Sequence, residues 1–144
     1  MTSPVLRSSL AALACAAALA FASPTLAASI NFNADLKASE EVPPNASKGT
    51  GQVSAVFDTN SKVLTWKGVY SGLSGDATAA HFHTGEVGKN GGVAVPIAPI
   101  SPSFGGTATL TDAQIADMMA GKWYVNIHTA ANKGGEIRGQ FTKK

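Results

Sequence analysis

From residue 28 onward, apolar and polar residues alternate in short runs separated by clusters of Gly, Asn, Ser and Pro. A period of two puts successive side chains on opposite faces of an extended chain, so each run reads as a half-buried β-strand. The pattern predicts strands over 30–36, 51–58, 63–71, 77–83, 93–97, 106–110, 123–129 and 136–142. "DTNSK" (58–62) and "KNGG" (89–92) read as hairpin turns. One segment departs from the alternation. Thr111 is an N-cap, Gln114 completes a capping box, Ile115 with Met118 or Met119 forms an apolar face, and Gly121 ends a short helix. The chain is therefore all-β, a sandwich or barrel with one short helix, and the methionines are core filler.

Residues 1–27 have a different composition. Arg7 precedes the apolar run "LAALACAAALAFA", and "SPTLA" places Thr25 and Ala27 at the small-residue positions before a cut. This predicts a secretory signal peptide over 1–27 and a single mature domain over 28–144, periplasmic or secreted. Cleavage before Cys15, as in a lipoprotein, would leave too little apolar core ahead of the cysteine. The mature chain keeps no cysteine and must fold without a disulfide. Its net charge is near zero and its Lys residues are scattered, which argues against a nucleic acid or a membrane surface as partner. No later stretch approaches the ~20 apolar residues of a membrane-spanning helix. The oligomeric state is left open.

Parity gathers the chemistry. In "ATAAHFH", His81 and His83 share a face opposite Ala80 and Phe82. In "WYVNIHT", Trp123, Val125 and Ile127 are apolar, leaving Tyr124, Asn126 and His128 on the other face. In "EIRGQFT", Ile137 and Phe141 are apolar and Glu136, Arg138 and Gln140 polar. If "TAANKGG" joins the last two strands, keeping both apolar faces inward pairs Asn126 with Arg138 and His128 with Glu136. All three histidines and the one arginine of the mature chain then meet in a single patch.

Two imidazoles at i and i+2 on a strand, with a third from a neighbour, make a three-nitrogen metal site with an open position. Glu86 is read as a loop charge, Thr84 and Thr129 as turn residues, and Trp66 and Trp123 as core. "TGEVGKNGG" lacks the ending and the strand-to-helix setting of a phosphate loop.

"ASEEVPP", "AAHFHTGEVGKNGG", "LTDAQIADMMAGKWYVNIHT" and "GGEIRGQF" together resemble the CHRD (chordin-type) domain family over most of residues 30–142. The resemblance implies an immunoglobulin-like or Greek-key antiparallel β-sandwich and places the family's histidine and "GEIRGQ" motifs on His81, His83, His128, Glu136 and Arg138. It implies no particular activity. The constellation alone is also similar to the copper site of copper-zinc superoxide dismutase, without that family's bridging histidine, zinc loop or cysteine pair.

Copper is the expected cofactor, since imidazoles suit it and the Irving-Williams order favours Cu(II), with zinc as the alternative. The expected function is a copper-only, superoxide dismutase-like oxidoreductase whose partner is a small anion, superoxide. His81, His83 and His128 would hold the metal, Arg138 would steer the anion, and Glu136 and Asn126 would hold His128 or Arg138 in place. The alternatives are a copper-sequestering or adhesion module without turnover, or a zinc-hydroxide enzyme.

Overall fold

The computed structural model describes residues 28–144, so the predicted signal peptide lies outside the described residues. Eight antiparallel strands follow in order: β1 (Ser29–Lys37), β2 (Thr50–Asp58), β3 (Val63–Ser71), β4 (Ala77–Thr84), β5 (Val93–Ile97), β6 (Ser103–Thr109), β7 (Trp123–Thr129) and β8 (Ile137–Lys143). A short 3-10 turn, Ala38–Glu40, follows β1, and the helix α1, Asp112–Met119, lies between β6 and β7. No helix among the described residues is long and apolar enough to cross a membrane.

The strands form one sheet in the order β5-β4-β7-β8-β1-β2-β3-β6. The β3-to-β4 and β6-to-β7 connections bridge strands that are not neighbours, as Greek-key crossovers do. The sheet curls until β5 approaches β6 without pairing to it, so the sandwich is a nearly closed barrel with one seam. Its lumen is the core that the alternation predicted, including Phe32, Leu36, Val53, Leu64, Trp66, Phe82, Trp123, Ile127, Ile137 and Phe141. Phe82 stacks edge-on against Trp66 and Phe141, with centroids 5.2 Å from each, and lies 5.8 Å from Trp123. Burying such rings supplies the apolar free energy that a disulfide-free domain depends on.

Local chemistry sets the turns and the helix. Asp58 Oδ1 accepts from the backbone N–H groups of Asn60 and Ser61, closing the β2–β3 hairpin where "DTNSK" predicted it. Thr111 and Gln114 form the expected capping box, and Met118 is buried while Met119 is exposed. Most strand ends fall within one residue of the sequence reading, and two features differ by more. β6 begins at Ser103 because Phe104 fills the space over Gly68, a pairing invisible in the glycine-rich "FGGTAT". The turn after β4 falls at Val87–Gly88 instead of "KNGG": Gly88 takes a φ of +73° and Lys89 N–H bonds Glu86 O at 3.0 Å. Asn90 is used otherwise, because its side chain ties two loops together.

Candidate metal centre

β4 and β7 are adjacent, with His81 opposite Asn126 and His83 opposite Tyr124. Phe82 points into the barrel, so His81 and His83 are both turned to the outer face. His128, two residues beyond Asn126, joins them there. One nitrogen from each of His81, His83 and His128 lies within 4.8 Å of the other two. His81 Nδ1 and His128 Nε2 are 3.2 Å apart. Two nitrogens bound to one ion at ~2.0–2.1 Å, subtending roughly 90–110°, stand about 2.9–3.4 Å apart, so this pair already has the spacing of a metal polyhedron edge.

The backbone selects the nitrogen that each ring offers. His83 Nδ1 bonds Gly91 O at 3.0 Å and His128 Nδ1 bonds Lys133 O at 2.9 Å. A carbonyl can only accept, so both Nδ1 atoms carry the proton and both Nε2 atoms keep a lone pair. His83 Nε2 is buried and has no hydrogen-bond partner. Burial lowers the pKa of His81, helped by His128 and His83. Burial also lowers that of His83; the Gly91 carbonyl and Asn126 oppose this, and His128 and Arg138 add to it. Both rings are therefore held neutral, the state in which imidazole ligates a cation. The donor set fits a copper or zinc ion.

Arg138 is beside this centre and is only 1% exposed. The β7–β8 ladder pairs Asn126 with Arg138 and Ile127 with Ile137, the register that parity demanded. The expectation of a guanidinium facing an open position is not what the structure presents. Arg138 donates to Asn90 Oδ1 (3.1 Å), Lys89 O (2.7 Å) and Glu86 O (3.4 Å), and its guanidinium lies 3.5 Å from the centroid of the Tyr124 ring. It clamps the 85–92 loop over the sheet. Asn90 Nδ2 continues the tie to Val42 O at 2.8 Å.

Glu136 is fully buried, yet the ladder stops one step short of pairing it with His128. Its carboxylate accepts from Ser47 Oγ, Ser74 N–H and Ser74 Oγ at 2.6 Å each, from Thr129 Oγ1 at 2.5 Å and from Asn132 Nδ2 at 3.0 Å. Burial by itself would raise its pKa, but the bonds from Ser47, Ser74 and Thr129 outweigh that and hold it down to about 2. None of these bonds is to His128 or Arg138. Glu136 instead fastens together the loops that enclose the site, including the β7–β8 loop whose Lys133 carbonyl orients His128.

The carboxyl that does lie beside Asn126 and Arg138 is Glu41, 5% exposed, which the sequence reading left out. Burial pushes its pKa up to about 7, against the opposing effects of Arg138, Asn126 and the Val42 backbone. Tyr124 was on the right face but carried no assigned role. Its ring lies parallel to that of His83, and its hydroxyl accepts from Gly91 N–H at 3.2 Å. Glu41 gave no periodic signal, since it sits in the proline-rich turn after β1.

No curated protein and no solved structure matches the chain. A family model does: that of the CHRD domain covers residues 32–141, from β1 to β8, and takes in all three histidines, Glu41, Glu136 and Arg138. The chain thus belongs to the CHRD domain family.

Proposed function

We propose that this CHRD domain is an exported copper-binding protein that disproportionates superoxide at the His81–His83–His128 centre. The observation that carries the metal reading is the buried, unpartnered Nε2 of His83, left with its lone pair by the Nδ1 bond to Gly91 O. Leaving such an atom without a partner is costly, and a cation between the three rings removes the cost. Three imidazole donors favour copper over magnesium or calcium. The chemistry the ion supplies is one-electron exchange with superoxide, 2 O₂•⁻ + 2 H⁺ → O₂ + H₂O₂.

A second reading, a copper store without turnover, draws support from Arg138. Both terminal nitrogens of its guanidinium donate to the 85–92 loop and the residue is 1% exposed, so it contributes a fixed positive charge from beneath the surface. One experiment separates the readings. Metal-free protein is equilibrated with Cu(II) and Zn(II) in competition, bound metal per chain is measured, and superoxide decay is followed with a chelator present to remove loose copper. One copper per chain, lost in His128→Ala, with chelator-resistant activity absent from His81→Ala, supports the enzyme. Full copper loading without activity supports the store, and preference for zinc overturns both.

A further inference from the structure

Three buried polar atoms without hydrogen-bond partners belong to one neighbourhood of the described residues: His83 Nε2, Asn126 Oδ1 and Glu41 Oε1. Asn126 connects the other two. Its Nδ2 lies 3.5 Å from Gly134 O and meets Glu41 Oε1 around the same Gly135 position, which turns Oδ1 away from the carboxyl. Gly135, at a φ of +132°, makes room for this packing, because a Cβ there would collide with Glu41 Oε1 and crowd Asn126 Nδ2.

We propose that Glu41 is a positioning residue of the metal centre, its buried carboxyl orienting the Asn126 amide so that the amide oxygen faces the metal-binding nitrogen of His83. The role rests on the metal reading of the three histidines. Two acceptors, Asn126 Oδ1 and His83 Nε2, then face each other, an arrangement that a cation stabilises and that a flipped amide would not offer. Glu41 biases the amide through its charge: the carboxylate attracts the Nδ2 donor, while the protonated acid competes as a donor itself. Arg138 is the charged group acting on Glu41, and His83 lies beyond Asn126. Burial poises Glu41 at about 7, so the bias changes within the neutral range.

The test has one arm without metal and one with it. In metal-free protein, the Asn126 side-chain NH₂ resonances are followed by NMR from pH 5 to 9. They are expected to shift with a midpoint near neutrality, and to stop doing so in Glu41→Gln. An unchanged titration in Glu41→Gln overturns the proposal whatever the metal result, because it needs no ion. In the second arm Cu(II) is added and its EPR spectrum recorded over the same pH range. Two interconverting spectra in the wild type and one pH-independent spectrum in Glu41→Gln are expected. Identical pH dependence in both proteins overturns the coupling to the centre. Failure of wild-type protein to bind Cu(II), with the NMR arm as expected, instead counts against the metal reading.

Discussion

The rings of His83 and Tyr124 lie 4.8 Å apart and within 3° of parallel, and the Arg138 guanidinium lies against the same Tyr124 ring. β4, β7 and β8 each contribute one member, so the stack spans three neighbouring strands beneath the 85–92 loop. It fixes the plane of His83, and thereby the direction of the unpartnered nitrogen, more firmly than its single bond to Gly91 O could. Tyr124→Phe keeps the stack and loses only the bond from Gly91 N–H, at a cost of about 1 kcal/mol. Tyr124→Ala is expected to cost roughly 3 kcal/mol and to weaken copper binding as well, whereas Tyr124→Phe should leave it nearly unchanged. Urea unfolding and metal competition on the two variants check this.

Glu136→Gln removes the negative charge on which Ser47, Ser74, Thr129 and Asn132 converge. Losing charge-assisted bonds in a buried site is expected to cost about 2–3 kcal/mol. Since the β7–β8 loop orients His128, copper affinity should fall even though Glu136 touches no ligand. Normal copper binding in a destabilised variant would separate the two roles.

Two buried carboxyls act on stability in opposite directions with pH. Glu136, depressed to about 2, stabilises the fold above the unfolded value of 4.5, and that contribution is lost as pH falls toward 2. Glu41, raised to about 7, binds its proton more tightly when folded. Its contribution is full below 4.5 and lost as pH rises to 7, by on the order of 3 kcal/mol. His81 and His83 act with the other sign, because their lowered pKa values favour the fold as pH rises toward 6.5. The difference between wild type and Glu41→Gln therefore isolates Glu41. Glu41→Gln should gain relative stability steadily between pH 4.5 and 7, as melting temperatures across that range will show.

Arg138→Lys distinguishes charge from clamp. Lysine keeps the positive field but cannot span Asn90, Lys89 and Glu86 at once. If the field guides superoxide, Arg138→Ala loses about tenfold in copper-dependent rate, with reduced salt sensitivity, and Arg138→Lys recovers most of it. If the clamp dominates, both variants lose thermal stability and copper together. Stopped-flow superoxide decay at several ionic strengths, beside melting curves, decides between these outcomes.

Gly135→Ala forces a side chain onto a backbone at φ +132° and into Glu41. A loss of roughly 1–3 kcal/mol is expected from the backbone alone, accompanied by disturbed Asn126 resonances.

Much of this arrangement was legible because strand parity is a strict rule. His81 and His83 had to share a face once Phe82 was assigned to the core, and the Asn126–Arg138 pairing followed from keeping Ile127 and Ile137 inward. Parity assigns a face and says nothing of what lies above it. The 85–92 loop covers Arg138, and the segment after β1 brings Glu41 to Asn126. Neither loop has a period to read, so parity gives neither the burial of Arg138 nor the position of Glu41, although "ASEEVPP" and "AAHFHTGEVGKNGG" are both among the motifs that carry the family resemblance. Glu136 sits just before β8 begins, where pairing no longer dictates direction, and its carboxylate turned to four other side chains.

The alternation of His81, Phe82 and His83 on a strand between β5 and β7 has a bearing on maturation. Slipping β4 by one residue against β7 would expose Phe82 and bury both imidazoles, breaking the hydrophobic packing and the ligand set in the same movement. If the three histidines hold copper as proposed, its retention would report on strand alignment, since a misaligned chain could neither close its barrel nor present the three rings together.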